Sequence, residues 1–194
     1  MTNVAIPDWN AQGVLPPINP ASPTSFDRSP YQISLTDLVL RYATSAARET
    51  ILGGFLRFRA ALHAAGLIQG FQWIDGSFLE HIELIEERSP RDVDVVTFYH
   101  LSSGQTQQTL LAAYPQLFVP QTAKQVYQVD ARFVQLNQQR PEPLVRQSAY
   151  WYSVWSHRRS DLWKGYLQID LAPGEDEIAQ TSLDAKNVEV GGQS

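Results

Sequence analysis

Two aspartates, separated by one residue, begin a short apolar run and are the residues best suited to chemistry. The run reads Asp92-Val-Asp94, followed by Val-Val-Thr-Phe. On a strand, positions i and i+2 point to the same face, so the two carboxylates project side by side. Like charges held this close repel each other, and a position beside the core adds to the cost. A divalent cation removes both penalties, and carboxylate oxygens suit Mg²⁺ or Mn²⁺.

A third carboxylate on a neighbouring strand would permit a two-metal site, as used for phosphoryl and nucleotidyl transfer. Two candidates stand among apolar neighbours: Asp130 in "QVDARF" and Asp170 in "LQIDL". We favour Asp130, because it falls on the next predicted strand and sequential strands usually neighbour each other. Asp170 is the reserve. The alternative for Asp130 is a surface position on an edge strand, paired with Arg132.

A Gly-Ser pair, Gly76-Ser77, follows the predicted strand "IQGFQWI" of residues 68–74. A glycine at a strand exit lets the backbone approach a phosphate closely, and the following N–H groups and the serine hydroxyl can hold a polyphosphate. The alternative for Ser77 is a helix N-cap. A basic cluster lies further along, and it is either a solvated loop or a contact to phosphate, with Lys164 as the predicted nucleotide-binding residue: His157, Arg158, Arg159 and Lys164.

The stretch "WIDGSF…SPRDVDVV" resembles the Gly-Ser…Asp-x-Asp signature of the DNA polymerase β-like nucleotidyltransferase superfamily. With "IPDWNAQGVLPP", "VDARF" and "KGYLQIDL", most of residues 5–171 resembles a poorly characterised bacterial family of nucleotidyltransferase-like proteins. The resemblance implies transfer of a nucleoside monophosphate from a nucleoside triphosphate such as ATP to an acceptor hydroxyl, with Mg²⁺ or Mn²⁺. It implies as site residues Gly76, Ser77, Asp92, Asp94 and Asp130.

One departure from the superfamily pattern concerns the distance between the two motifs. Gly76 and Asp92 are sixteen positions apart, longer than the usual spacing, and "LEHIELIEE" between them carries Glu80, Glu83, Glu86 and Glu87. These glutamates would repel a triphosphate unless they face solvent. The departure keeps an alternative open: a catalytically inactive protein of the same fold that binds a partner, as in toxin–antitoxin pairs. A metal-dependent phosphohydrolase is a third possibility, but the histidine-rich ligand set expected there is missing from the sequence.

The elements that would position these residues form a mixed α/β (α+β) arrangement. We expect a short, twisted, mixed sheet with helices packed on it, as in the nucleotidyltransferase-like fold. Residues 1–33 read as an extended proline-rich arm docked through Trp9, Leu15 and Phe26. Residues 34–171 read as the domain and residues 172–194 as a polar, mobile tail. The predicted helices are a capped one after Ser34 that breaks near 44–45, then 46–65, 105–113 and 143–155; the predicted strands are 68–74, 92–98, 126–136 and 164–171.

Composition narrows the classes of partner. The 194 residues carry a net charge of −5, which argues against a protein coated in basic charge for duplex DNA. The sequence has no cysteine, which removes disulfides and thiolate metal sites. No apolar run approaches the ~20 residues of a membrane span. We therefore expect a cytoplasmic protein that takes a nucleoside triphosphate and an acceptor of unknown class: RNA, protein or small molecule.

Overall fold

The computed structural model describes residues 4–138 and 140–191, with side chains described as far as residue 186. The described chain forms one five-stranded sheet, eight α-helices and two short 3₁₀ turns. The strands are β1 (Tyr31–Gln32), β2 (Gly70–Asp75), β3 (Val93–Tyr99), β4 (Val129–Gln135) and β5 (Leu167–Asp170). The helices are α1 (Leu35–Tyr42), α2 (Ala46–Ala64), α3 (Ile82–Ile85), α4 (Gln107–Ala113), α5 (Pro115–Phe118), α6 (Pro120–Tyr127), α7 (Pro141–Trp155) and α8 (Asp176–Gly191).

The sheet is mixed, with strand order β1-β5-β2-β3-β4. Strand β2 runs antiparallel to both β3 and β5, whereas β1 pairs with β5 and β3 pairs with β4 in parallel. The parallel β3–β4 pair needs a crossover connection, and helices α4, α5 and α6 supply it. The predicted mixed α+β class is therefore confirmed.

Helix α2 packs on one face of the sheet. It begins after Ser45, whose hydroxyl accepts a hydrogen bond from the Arg48 N–H, close to the predicted start. The Phe58 ring meets the Phe133 ring of β4. Its neighbour Arg59 is fully buried and donates from Nη1 to the Gln72 side chain of β2 at 2.7 Å. The helix thus anchors the strands β2 and β4 from one side.

The opposite face of the sheet carries an aromatic cluster under helix α7. Trp73 of β2 lies 4.6 Å from Phe98 of β3 and 5.3 Å from Tyr166, measured between ring centroids. Trp155, at the end of α7, lies 5.8 Å from Tyr166. Most of the remaining α7 side chains face solvent, including Tyr150. The buried end of α7, at Trp155, therefore meets the aromatic cluster on this face.

The proline-rich arm contacts the rest of the described chain, but not through all three expected side chains. Leu15 is buried, and the Trp9 indole donates a hydrogen bond to the Leu79 carbonyl at 2.6 Å. The prediction for Phe26 is wrong, because this residue is fully exposed, at 104%. Residues 19–27 form a loop that Asn19 and Asp27 close by hydrogen bonds, and the Phe26 ring projects from that loop.

The prediction of a mobile tail over residues 172–194 is wrong for the part that the structure describes. A 3₁₀ turn and α8 follow β5, and α8 packs against α1 and α2. Ala179 and Leu183 are buried in that contact, and the Asp176 carboxylate binds the Arg59 guanidinium through two 2.8 Å hydrogen bonds. Residues 192–194 lie outside the described residues. Within the described ranges, no helix is long and apolar enough to cross a membrane.

Candidate active site

The strand register places three aspartates in one row across the sheet. Asp75 of β2 pairs with Asp94 of β3, and Asp94 pairs with Asp130 of β4. Paired residues on neighbouring strands share a face, so the three carboxylates project on the same side, with Asp92 two positions before Asp94. The reserve candidate lies elsewhere: Asp170 pairs with the β2 residue four positions before Asp75, about 13 Å away along the strand.

Asp94 has the least favourable electrostatic environment in the row. Burial raises its pKa to about 7, and repulsion from Asp75, Asp92 and Asp130 adds to the rise. The positive charge of Lys164 partly offsets this rise in the pKa of Asp94. No described residue donates a hydrogen bond to the Asp94 carboxylate. An ionised carboxylate in such a position gains strongly from any cation that reaches it.

The Gly76-Ser77 turn packs directly on that carboxylate. Gly76 has φ 89° and ψ −176°, a conformation open to glycine alone. A Cβ at this position would lie 2.9 Å from Oδ2 of Asp94. Gly76 is the N-cap residue of the 3₁₀ turn Ser77–Leu79, so Ser77 is not the predicted alternative of an N-cap. The Ser77 hydroxyl makes no hydrogen bond with any described residue.

Lys164 holds the Gly76-Ser77 turn from beneath. Its buried ammonium donates to Asp75, directly before the turn, at 2.8 Å and to Glu80, directly after it, at 3.1 Å. Burial lowers the pKa of Lys164, but the two carboxylates outweigh burial and leave that pKa raised. Burial in turn raises the pKa of Asp75 to about 6 against the pull of Lys164. The prediction that Lys164 contacts the nucleotide does not fit this burial.

The acidic insertion is neutralised by arginines and Lys164. Arg48 donates to the Glu83 carboxylate and also to the carbonyl oxygens of Phe78 and Glu80, at 2.6 and 2.8 Å. Arg158 pairs with Glu80, with 3.3 Å between Nε and Oε2, and with Glu86. The expected repulsion of a triphosphate is therefore reduced for three of the four glutamates. Glu87 lies in the exposed loop that follows α3.

The match to protein families covers the whole site. A family model described as a family of unknown function (DUF6932) matches residues 7–170. The chain belongs to this family. Comparison with curated proteins and with solved structures gave no match. All residues of the aspartate row and the glycine turn lie within the DUF6932 region, whereas helix α8 follows it.

Two basic side chains lie among the carboxylates of this DUF6932 member. Lys124 of α6 forms a close ion pair with Asp92, and its Nζ lies 3.9 Å from Oδ2 of Asp130. The hydrogen bond with Asp92 raises the pKa of Lys124. Arg132 binds Asp130 at 2.7 Å, the ion pair considered as the alternative from the sequence. Lys124 was not among the predicted site residues, because helix α6 was not predicted.

The donor set fits a hard divalent cation by its chemistry. Asp92, Asp94 and Asp130 offer carboxylate oxygens close together. In the described part of the chain, no basic side chain forms an ion pair with Asp94, whereas Lys124 pairs with Asp92 and Arg132 pairs with Asp130. Lys124 shows that a positive charge is already favoured there. Among the described residues, no three acidic or histidine side chains yet converge as a ligand group. A metal bound by Asp92 would therefore have to displace Lys124.

Proposed function

We propose that the protein is a metal-dependent nucleotidyltransferase, which moves a nucleoside monophosphate from a nucleoside triphosphate to an acceptor hydroxyl. The observation that carries the proposal is the register Asp94–Asp130 together with the contact of the Gly76 turn with the Asp94 carboxylate. The row of aspartates and the glycine turn thus meet where β2 ends and β3 begins. The mixed sheet with α2 behind it is consistent with a nucleotidyltransferase-like fold.

Each residue then has a role. Asp92, Asp94 and Asp130 would hold Mg²⁺ or Mn²⁺, and the metal would supply neutralisation of negative charge on the phosphate oxygens. The backbone N–H groups after Gly76 and the free Ser77 hydroxyl bind the β- and γ-phosphates. Lys164 fixes the turn without touching the nucleotide. Lys124, 46% exposed at its side chain, is free to turn towards a phosphate when it leaves Asp92.

The reaction balances with these groups. The acceptor hydroxyl oxygen forms a bond to the α-phosphorus, and the bond from that phosphorus to the bridging oxygen breaks. Pyrophosphate leaves with the electron pair, and the hydroxyl proton passes to the Asp130 carboxylate. Positioning and charge stabilisation supply most of the rate in such transfers.

One observation favours a second function, a non-catalytic partner-binding protein of toxin–antitoxin type. Lys124 and Arg132 already balance Asp92 and Asp130, so two of the three acids are satisfied without a metal. In that case Asp94 would have no functional role. The two functions differ in whether Mg²⁺ with a nucleoside triphosphate binds at Asp94.

Asp94→Asn tests the proposal, with Asp170→Asn as the control on the same sheet. Mg²⁺-ATP at 100 times its Kd should stabilise the wild type by about 2.7 kcal/mol. We expect Asp94→Asn to abolish this stabilisation and all transfer of labelled nucleotide. The apo variant should be as stable as the wild type or slightly more stable, because a repelled carboxylate is removed.

Asp170→Asn should still be stabilised by Mg²⁺-ATP, because Asp170 is exposed and lies at the end of β5 that is far from the aspartate row. Thermal unfolding with and without Mg²⁺-ATP measures both variants. Two results together contradict the proposal. The apo Asp94→Asn protein is strongly destabilised, and the wild type is not stabilised by Mg²⁺ with ATP or with any other nucleoside triphosphate. Those results leave the partner-binding function.

A further inference from the structure

A basic and aromatic surface runs from the start of α7 to the loop after it. Residues 140–164 contain five basic and two acidic side chains, a net charge of +3, while the whole chain carries −5. The remainder of the chain therefore carries −8. Positive charge is thus concentrated in one segment of an acidic protein, and such a segment attracts a polyanion.

Three arginines of this segment are not used by the fold. Arg140, Arg146 and Arg159 are exposed, and none forms an ion pair or a side-chain hydrogen bond with a residue that the structure describes. The other two basic residues differ, because Arg158 and Lys164 bind the acids around the glycine turn. The three free guanidinium groups are available for phosphates.

Aromatic rings accompany the free arginines. In α7, Tyr150 is 58% exposed, whereas Tyr152, two positions further on, lies on the opposite face of the helix and faces Tyr166. Trp163, in the loop after α7, is 49% exposed. Arg146 and Tyr150 are four positions apart on the helix and therefore share a face. Exposed rings beside arginines are what single-stranded nucleic acids use, through base stacking and phosphate contacts.

The surface also reaches the proposed active site. The loop after α7 folds back through a bridge between His157 and Trp163. Arg158 and Lys164, in the same loop, contact Glu80 and Asp75 beside the Gly76 turn. A strand bound along α7 and Trp163 would therefore have one end close to the aspartate row.

We infer that this surface binds a single-stranded nucleic acid, with bases stacked on Tyr150 and Trp163 and phosphates paired with Arg140, Arg146 and Arg159. The inference deepens the proposed function, on which it rests for one point only: the bound strand would carry the acceptor hydroxyl. The binding itself needs neither nucleotide nor metal.

Fluorescence anisotropy with labelled oligouridylate, without nucleotide or Mg²⁺, tests the binding. Three phosphate contacts correspond to a slope of about −2 in log affinity against log salt. Each arginine replaced by alanine should make the slope shallower by about 0.7. Tyr150→Ala and Trp163→Ala should each weaken binding by about 5- to 150-fold. All these positions are exposed, so the variants should fold.

Matched controls come from exposed side chains elsewhere. Arg57→Ala on α2 and Phe26→Ala in the arm loop should leave the affinity unchanged, because both residues are exposed outside the surface. Oligothymidylate beside oligouridylate distinguishes DNA from RNA, and duplex RNA should bind more weakly than either. The inference is overturned if no single strand binds at low salt, as for a surface that serves a protein partner. It is also overturned if the arginine and aromatic variants bind like the controls. Loss of transfer activity alone leaves it intact.

Discussion

The ion pairs around the glycine turn illustrate how charge serves geometry at the scale of single residues. Asp75 and Glu80 flank the turn, and Lys164 binds both from within the core. Arg158 adds a second positive charge at Glu80, so two acids meet two bases. Buried ion pairs contribute little net stability, because desolvation offsets their attraction. Their consequence here is a defined position for the turn relative to Asp94.

Gly76→Ala should separate backbone strain from contact with Asp94, with Gly104→Ala as the control. Both glycines have a positive φ, 89° and 84°, which strains an alanine, and the extended ψ of −176° adds to the strain at Gly76. A Cβ at Gly104 meets nothing within 4 Å, whereas at Gly76 it displaces the Asp94 carboxylate. We expect a larger loss of unfolding free energy for Gly76→Ala, together with loss of Mg²⁺-ATP binding. Equal losses in denaturant titrations, with binding retained, would show that the contact is unimportant.

The sequence revealed the acids that share a strand or follow on the next one. Asp92 and Asp94 stood out by their spacing, and Asp130 by its strand. The register pairs Asp94 with Asp130, and Lys124 lies close to both Asp92 and Asp130. Asp75 was not among the predicted site residues. Its burial depends on Lys164, which lies 89 residues away in the chain. No local pattern shows such a partner.

The junction between α6 and β4 shows how elements position the site. Gln128 adopts a left-handed conformation, φ 56°, and turns the chain from α6 directly into β4, two residues before Asp130. Lys124 lies one helical turn earlier. Helix α2 packs on this junction at Gly54, where its backbone approaches the Tyr127 carbonyl. Close packing of α2 therefore fixes both a carboxylate and its ammonium partner.

Two adjacent glycines of α2 provide a matched test of this contact. A Cβ at Gly54 would overlap the Tyr127 carbonyl oxygen, whereas at Gly53 it meets only the Arg57 and Leu183 side chains, at 3.6 and 3.9 Å. Gly53→Ala should stabilise the protein by up to about 1 kcal/mol through helix propensity. Gly54→Ala should destabilise it and weaken Mg²⁺-ATP binding by moving α6. Chemical unfolding measures both, and stabilisation by Gly54→Ala would refute the contact.

Elements with strong local signals were predictable, and those that depend on distant partners were not. Helix α2 has a serine cap and regular apolar spacing, and its structure matches the prediction of 46–65 closely. Helix α6 was missed, because "PQTAKQVY" is mostly polar and buries only Ala123 and Tyr127. Helix α8 was missed for a similar reason, since its charged and polar residues hide the two side chains, Ala179 and Leu183, that contact the core.

At the scale of the whole molecule, the arm and the end of the described chain close around the sheet. The Leu15 carbonyl accepts from the Gly165 N–H at 2.7 Å, and β1 pairs with β5. The arm also reaches the glycine turn, where the Gly13 carbonyl accepts from the His81 N–H at 2.8 Å. Residues 4–32 are therefore part of the folded domain and not an independent unit.

Leu15→Ala and Phe26→Ala should have opposite consequences, although both belong to the arm. Leu15 is 1% exposed, and its truncation should cost about 2–5 kcal/mol through lost burial and a cavity. Phe26 contributes no buried surface, so its truncation should stay within about 0.5 kcal/mol. Thermal and urea unfolding measure both. A harmless Leu15→Ala would show that the arm is detachable.

The pairing of β1 with β5 has a consequence for biosynthesis. Ser29, just before β1, and Tyr166, just before β5, are hydrogen-bonded although they are 137 positions apart in the sequence. A ribosome adds about 5–20 residues per second, so β1 emerges roughly ten seconds or more before its partner strand exists. During that interval the apolar side chains of the arm have no sheet edge to cover. Roughly the first thirty residues of the nascent chain, those up to β1, are therefore exposed to aggregation until β5 has been made. Chaperones act on growing chains in this situation.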